Sequence, residues 1–225
     1  MGVVSGPARP GPLESLSYPG VPVRKSSRDR RATEAELEAA ALRLIAREGI
    51  LGGIRLREVA TEAGINRALV YQYYGSRRAL IRAALRTIRS SRNRVIEALR
   101  SLPFVERRRI LFRESVEDPV FARVEALLAL DGDDELLVFP TLDAGLRELE
   151  RDRAAGELDP SLDLSAVHAV SISVQLGYCI FRDNFLAELG MPAEELDRHA
   201  EEVLVRMLAG LRPPADGGAA AGHHG

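Results

Sequence analysis

The stretch from Leu56 to Leu80 constrains the fold more than any other part of the chain. It opens with apolar residues at helical spacing: Val59, Ala60 and Ala63. Gly64 then supplies a residue that readily takes the positive φ found just past a helix end. Asn66 is suited to cap a second helix, whose Val70 and Tyr74 share one face. Two helices joined by a tight turn predict a helix-turn-helix, whose second helix enters the major groove of DNA.

The second helix of this motif carries side chains that suit DNA contact. Its exposed face is expected to present Arg67, Ala68, Tyr71 and Gln72, flanked by Tyr73. Ser76 then caps a third helix whose first turn contains Arg77 and Arg78. Cations at this end of a helix oppose its dipole, and a bound anion such as a DNA phosphate would relieve that repulsion. The pattern therefore predicts a nucleic-acid contact.

These residues resemble the signature of TetR-family transcriptional regulators. The similarity lies in four runs within the N-terminal part of the chain: Arg57–Ala60, Ala63–Arg67, Val70–Tyr74 and Ser76–Arg77. The resemblance implies an all-helical homodimer that binds a near-palindromic operator on double-stranded DNA, usually as a repressor released by a small molecule. It also implies that Arg67 and Ala68 read bases, and that Tyr71, Tyr73 and Arg77 hold phosphates.

Two positions depart from the usual family pattern. Arg55 stands where Ser or Thr commonly caps the first helix of the motif, so that cap is weakened, although Arg55 still suits a phosphate. Leu69 stands where a Thr commonly touches the DNA backbone. Because Leu69 cannot donate a hydrogen bond, it either packs inward or meets a thymine methyl group. The predicted DNA-binding set is Arg55, Asn66, Arg67, Ala68, Leu69, Tyr71, Gln72, Tyr73 and Arg77.

The charges are segregated along the chain even though the net charge is only −2. Residues 24–94 contain 17 Lys and Arg against 7 Asp and Glu, whereas residues 95–225 contain 13 against 25. A basic end joined to an acidic body is typical of a protein that binds nucleic acid at one end. Ordinary solvated faces would not predict this division, which also argues against an enzyme with an incidental helix-turn-helix.

The remaining composition indicates a cytoplasmic protein without a membrane partner. The single cysteine, Cys179, excludes an intrachain disulfide and fits a reducing compartment. The N-terminus lacks the apolar core of a signal peptide. The charge-free run Leu164–Phe181 is marginal for crossing a bilayer and fits a fully buried helix better.

The sequence predicts four segments. Residues 1–31 are expected to form a disordered basic arm, which is either a solvated leader or an arm that tracks DNA. Thr33 and Glu36 make a capping box that starts the first helix, so the DNA-binding domain is placed at 32–78. A helical ligand-binding and dimerisation domain follows at 79–212, and a disordered tail at 213–225.

Two C-terminal helices are expected to form the dimer interface. The segment from about 161 to 189 is apolar nearly all round, and the last helix, from about 192 to 211, has a second apolar stripe. Helices of this kind must be covered on several sides. Pairing of both helices with their copies in a second subunit would form a four-helix interface, as the family resemblance also implies.

A small, largely apolar effector is the remaining expected partner. All six Phe residues lie in the C-terminal body, where most are expected to be core and some to line a ligand cavity. His168, Gln175, Tyr178 and Arg182 are the predicted ligand-contacting residues. For His168, Gln175 and Arg182, a register-setting role at the dimer interface stays open. Cys179 fits a small buried hydrophobe better than a thiol sensor.

No pattern of catalytic or cofactor-binding residues is visible. The chain lacks Gly-x-Ser-x-Gly, His-Glu-x-x-His, a phosphate-binding glycine loop and Cys-x-x-Cys. His223 and His224 form only a weak metal site at the end of the chain. We therefore expect no enzyme, no cofactor and no metal, with a ligand-independent structural DNA-binding protein as the alternative to a ligand-responsive repressor.

Overall fold

The computed structural model of the protein describes residues 27–48 and 54–214. Within these residues the chain folds entirely into α-helices, and no strand is assigned. The helices are α1 Ser27–Glu48, α2 Leu56–Glu62, α3 Arg67–Tyr74, α4 Arg77–Ala98, α5 Phe104–Glu117, α6 Val120–Leu130, α7 Leu142–Ala154, α8 Leu164–Leu189 and α9 Ala193–Ala209. The predicted all-α class is confirmed. Most of the predicted arm, the glycines after α1 and residues 215–225 lie outside the described residues.

The first helix begins earlier than the capping box predicts. α1 starts at Ser27, and the Thr33 hydroxyl donates to the Asp29 carbonyl oxygen at 2.8 Å instead of capping a helix end. Arg30 pairs with Glu34 at 2.9 Å, one helical turn later, which favours the added turns. The Arg30 guanidinium also lies 5.3 Å from the centre of the Tyr73 ring. Residues 27–31 of the predicted basic arm are therefore helical.

A first hydrophobic core joins α1 to α4 into the N-terminal unit. Its fully buried side chains include Leu37, Ile45, Val59, Val70 and Leu80. On the surface, Glu62 of α2 accepts hydrogen bonds from Arg43 and Arg47 of α1 at 3.2 and 3.1 Å. The helix-turn-helix is therefore held on a rigid support.

A second core lies among α5, α7, α8 and α9. It contains Phe104 and Phe112 together with Leu149, Val167 and Leu204. The expectation that most Phe residues are core holds for these two, whereas Phe181 and Phe185 are exposed.

Two helices, α4 and α6, belong to both halves of the molecule. Leu80 of α4 and Leu128 of α6 are buried in the N-terminal core. The acidic loop after α6 also holds the start of α4, because Asp131 accepts from Arg78 at 2.7 Å. The predicted domain boundary at residue 78 falls in the first turn of α4, which continues without a break to Ala98. The boundary itself stays a prediction.

The α8 helix is less covered than its sequence predicts. It is long and apolar enough to span a membrane by length and composition alone, but it packs against α5, α6, α7 and α9. Val170 and Phe181 remain 61% and 54% exposed, and Val203 and Met207 of α9 are 56% and 54% exposed. We call these four residues the apolar face. The prediction of a fully buried helix is wrong for this chain.

Candidate nucleic-acid interface and ligand cavity

The orientation of α3 is set by contacts at both of its ends. Gly64 adopts a φ of 65° in the turn after α2. The Asn66 side chain then accepts a hydrogen bond from the backbone nitrogen of Ala68 at 2.8 Å, as a helix N-cap. Val70 is fully buried, and the Tyr74 hydroxyl donates to the Glu34 carbonyl oxygen at 3.1 Å. The opposite face of α3 is therefore presented outward.

The structure brings the predicted DNA-binding residues to the surface of the N-terminal unit. Seven of them are exposed, namely Arg55, Asn66, Arg67, Ala68, Tyr71, Gln72 and Arg77. Leu69 and Tyr73 are half-buried, so Leu69 is at least partly packed. The Arg67 guanidinium lies 5.4 Å from the centre of the Tyr71 ring, and its Nη2 is 3.4 Å from the Tyr71 hydroxyl. Stacking on Tyr71 holds Arg67 on the outward face of α3.

The weak cap expected at Arg55 is visible in the structure. The backbone nitrogen of Arg55 donates to Glu58 Oε2 at 3.2 Å. An arginine side chain has no acceptor, so only this half of a capping box can form. The Arg55 guanidinium stays exposed, with Nε 4.0 Å from Glu58 Oε1.

The two cations at the start of α4 have different surroundings. Ser76 Oγ accepts from the backbone nitrogen of Ala79 at 3.1 Å and caps the helix. Arg77 is exposed, whereas Arg78 donates to the side chain and the carbonyl oxygen of Asp131. The prediction that a bound phosphate neutralises both arginines is therefore wrong for Arg78, because the Asp131 carboxylate already pairs with it.

A cavity of about 150 Å³ lies between α4, α5, α6, α7 and α8. Apolar side chains from all five regions form its walls: Ile96, Leu111, Phe121, Phe139, Leu142 and Ile172. Two of the four predicted ligand-contacting residues, His168 and Gln175, line it as well. The cavity thus has the mainly apolar character of a small-molecule site with a few fixed polar groups.

A chain of hydrogen bonds crosses one wall of the cavity. Arg108 Nη2 donates to Gln175 Oε1 at 2.7 Å and to the Ser171 carbonyl oxygen at 2.9 Å. Gln175 Nε2 donates to Ser115 Oγ at 2.5 Å, and Arg92 Nη2 donates to the same oxygen at 2.6 Å. Burial lowers the pKa of the Arg108 guanidinium to about 10, with a further contribution from the nearby charges of Arg107 and Arg92.

His168 stands on the α7 side of the cavity. Its ring centre lies 5.0 Å from that of Phe139, and a Cβ on Gly145 would come within 2.8 Å of its Cε1 atom. A glycine at position 145 therefore allows α7 to approach the His168 ring closely. Burial, followed by repulsion from Arg108, lowers the pKa of His168, which favours the neutral imidazole at neutral pH.

The other two predicted ligand-contacting residues point to a different place. Tyr178 and Arg182 do not line the cavity but bind Asp197 of α9, at 2.8 and 2.6 Å. They therefore join α8 to α9. Cys179 is fully buried, its thiol donates to the Ser115 carbonyl oxygen at 3.3 Å, and burial raises its pKa to about 11. A reactive thiol needs partly exposed surroundings that lower its pKa.

Arg92 and Arg108 are residues that sequence reasoning missed. Both lie on helices whose apolar spacing predicts only a hydrophobic inner face, and nothing local marks these arginines among their many neighbours. The only signal is an excess of arginine in α4 and α5. Over residues 27–48 and 54–214, no group of three or more His, Cys, Asp or Glu side chains is arranged to hold a metal ion.

Comparison with known proteins identifies the N-terminal unit. Residues 37–84 match the family model described as bacterial regulatory proteins, tetR family. No curated protein matches the chain.

Solved structures extend the likeness to the whole fold. A protein described as a transcriptional regulator, SCO4942 from Streptomyces coelicolor, is 21% identical over 81% of this chain and 99% of its own, with a TM-score of 0.61. A protein from Rhodococcus sp. described as a TetR-family transcriptional regulator is 20% identical over 81% and 100%, with a TM-score of 0.57. The multidrug binding protein EbrR, complexed with imidazole, is 22% identical over 81% and 97%, with a TM-score of 0.56.

Proposed function

We propose that this protein is a ligand-responsive transcriptional regulator. The proposal is supported by the match of its N-terminal unit to the tetR-family model and by the likeness of its helical body to solved regulators. In this proposal it acts as a homodimeric repressor of a palindromic operator and is released by a small ligand held in the cavity. The observation that carries the proposal is the outward face of α3, where Arg67, Ala68, Tyr71 and Gln72 are exposed on a helix fixed at both ends. A helix presented in this way fits the major groove.

The apolar face supports assembly into a homodimer. Val170, Phe181, Val203 and Met207 are large apolar side chains on the two last helices, and each is more than half exposed. Clustered exposure of this kind marks a protein interface in a soluble protein. Two copies related by a twofold axis would present two recognition helices to the two halves of a palindrome.

The shared helices supply a route from the cavity to the DNA-binding unit. Arg92 and Ile96 of α4 line the cavity, and Leu80 of the same helix lies in the N-terminal core. Phe121 of α6 lines the cavity, and Leu128 of α6 lies in that core. A ligand that shifts α4 or α6 would therefore change the position of α3 and the spacing of the two recognition helices.

The function is tested by selecting a duplex from random-sequence DNA with the full-length protein and measuring its affinity across a salt series. If the dimer neutralises about six to ten phosphates, log K falls with log salt at a slope of about −5 to −9. Arg67→Ala is expected to change the selected bases, because arginine in the major groove commonly reads guanine. Arg198→Ala on the exposed surface of α9 is the control. A slope near zero overturns the proposal.

The dimer is tested with Val203→Asp and Val170→Asp. Both positions are exposed in the single subunit, so a charge there is harmless unless a second subunit covers it. In a dimer the buried, unpaired charge is expected to cost several kcal/mol. Size-exclusion chromatography with light scattering should show monomers that lose operator affinity. Leu130→Asp, at an 89% exposed apolar position on α6, is the matched control and should remain a dimer.

A further inference from the structure

The side chains that line the cavity carry more positive than negative charge. Five arginines and two glutamates line it. Three of the arginines have carboxylate partners: Arg89 with Glu125 at 2.5 Å, Arg100 with Glu148 at 2.7 Å, and Arg107 with Asp152 at 2.5 Å. Arg92 and Arg108 have no carboxylate within 4.0 Å among residues 27–48 and 54–214. An excess of two positive charges thus remains at one wall.

The two unpaired guanidiniums belong to one network. Arg108 and Gln175, Gln175 and Ser115, and Ser115 and Arg92 are joined by successive hydrogen bonds. Arg92 also stacks on the Phe121 ring, with its guanidinium carbon 4.5 Å from the ring centre. These contacts hold both side chains in place. The pair is therefore preorganised at the wall of the cavity.

Both guanidiniums keep unused donors. A guanidinium has five N–H groups. In the part of the chain that the structure describes, Arg108 and Arg92 use only Nη2, which leaves Nε and Nη1 without an acceptor on each residue. Both side chains are half-buried, and burial lowers the pKa of each, so their charges are only partly solvated. An anion that accepts from these donors would satisfy hydrogen bonds and charge together.

The other lining residues and the cavity volume determine the polarity and size of the rest of the ligand. The lining also contains Phe139, Leu142 and Ile172, which offer apolar contact. A volume of about 150 Å³ accommodates a body the size of a benzene ring. His168 adds no positive charge, because its lowered pKa keeps the imidazole neutral.

We propose that the ligand of this cavity is a small carboxylate, whose anionic group binds Arg108 and Arg92 while its apolar body packs against Phe139 and Ile172. This inference deepens the proposed function, on which it rests, by assigning the chemical class of the effector. The sequence predicted a largely apolar ligand, and the cavity indicates an apolar body that carries one acidic group. Neutral and cationic molecules of the same shape leave the two charges unsatisfied, so the site selects against them.

Matched probes test the proposal on the full-length protein without DNA. Benzoate and hexanoate are compared with benzamide, hexanamide and benzylammonium by calorimetry and by thermal melting. We expect each carboxylate to bind at least tenfold more tightly than its amide, and benzylammonium to bind most weakly. Equal affinity of each carboxylate and its amide, or no binding by any probe, overturns the proposal without any variant being needed.

Variants assign the effect to the two arginines. Arg108→Gln and Arg92→Gln should each lower benzoate affinity by about 10- to 100-fold, the usual range for a lost hydrogen bond to a charged group, and leave benzamide unaffected. Arg108→Lys should recover part of the loss, because it restores charge without the planar fork. Arg113→Gln, an exposed residue of α5 paired with Glu201, is the control and should bind like the wild type. Unchanged benzoate affinity in both Arg→Gln variants overturns the assignment.

A DNA release assay separates this inference from the proposed function. Benzoate is added to the complex of the protein with its selected duplex. If carboxylates bind in an Arg108-dependent manner but the duplex stays bound, the carboxylate assignment is supported. The proposal that the ligand releases the repressor from DNA is then wrong. If the duplex is released by benzamide and benzoate equally, the regulatory function stands and the carboxylate inference fails.

Discussion

The surface proposed to contact DNA is formed by side chains of residues 55–77, whereas the cavity is lined by residues 89–176. The first site is two short helices and a turn, and its geometry follows from caps and one buried valine. The second site exists only where five helices meet. A local motif can therefore be read from adjacent residues, whereas a cavity depends on contacts that are distant in sequence.

The arginines of the two regions also have different physical roles. Arg67 and Arg77 are exposed and solvated, and such charges act on a phosphate partner in a salt-dependent manner. Arg107 is buried and Arg108 is half-buried in the wall of the cavity, where a charge is less well solvated and gains more from a partner. Substitution of an arginine in the first region should change DNA affinity with little effect on folding. In the second it should change stability or ligand affinity.

The largest effect is expected from Asp152→Ala. This change removes the carboxylate 2.5 Å from the buried guanidinium of Arg107 and leaves only Glu148 at 3.8 Å, which should lower the free energy of unfolding by about 3–5 kcal/mol. Chemical denaturation measures it. Asp143→Ala, at an exposed position on the same helix, is the control and should cost less than about 1 kcal/mol. The double variant Asp152→Leu with Arg107→Met should recover most of the loss, and no recovery would contradict the pairing.

A smaller effect is expected from Arg77→Ala, compared with its neighbour. Arg77 is exposed, whereas Arg78 is bound to Asp131 at 2.7 Å. Loss of one phosphate contact in each subunit should reduce the steepness of the log K against log salt plot by about 2 for the dimer. The slope for Arg78→Ala should equal the wild-type slope. Identical slopes for all three proteins would show that Arg77 does not hold a phosphate.

The smallest effect is expected from Asn66→Ala. The Asn66 side chain caps α3 by accepting from the Ala68 nitrogen at 2.8 Å, and loss of such a cap costs about 1 kcal/mol of stability. Asn66→Ser should retain most of the cap. Thermal unfolding without DNA compares the two variants. Equal melting temperatures for Ala and Ser would show that the cap contributes nothing measurable.

The sequence predicted the helices of the molecule well, because apolar spacing and capping residues are local signals. The structure places α8 at Leu164–Leu189 and α9 at Ala193–Ala209, within a few residues of the predicted spans of 161–189 and 192–211. The start of α1 was missed, because the Arg30–Glu34 pair extends the helix beyond Thr33. The tetR-family assignment was equally accessible, since residues 37–84 carry its pattern in one continuous run.

The four predicted ligand-contacting residues lie in two different places. His168 and Gln175 line the cavity, but Tyr178 and Arg182 lie toward Asp197 of α9. Helical periodicity places Gln175 and Arg182 on one stripe, and it contains no information about which neighbouring helix each end of the stripe meets. That information depends on the crossing of α8 with α5, α7 and α9.

By itself, the sequence determined the helical class, the helix-turn-helix and the segregation of charge, because each depends on residues within a few turns of one another. Only the tertiary structure decided which charges are neutralised. Arg78 and Arg108 look alike in the sequence, yet Asp131 pairs with the first and no described carboxylate pairs with the second. The physical reason is that a salt bridge requires two atoms within about 4 Å, and helix packing brings such atoms together from positions 53 residues apart.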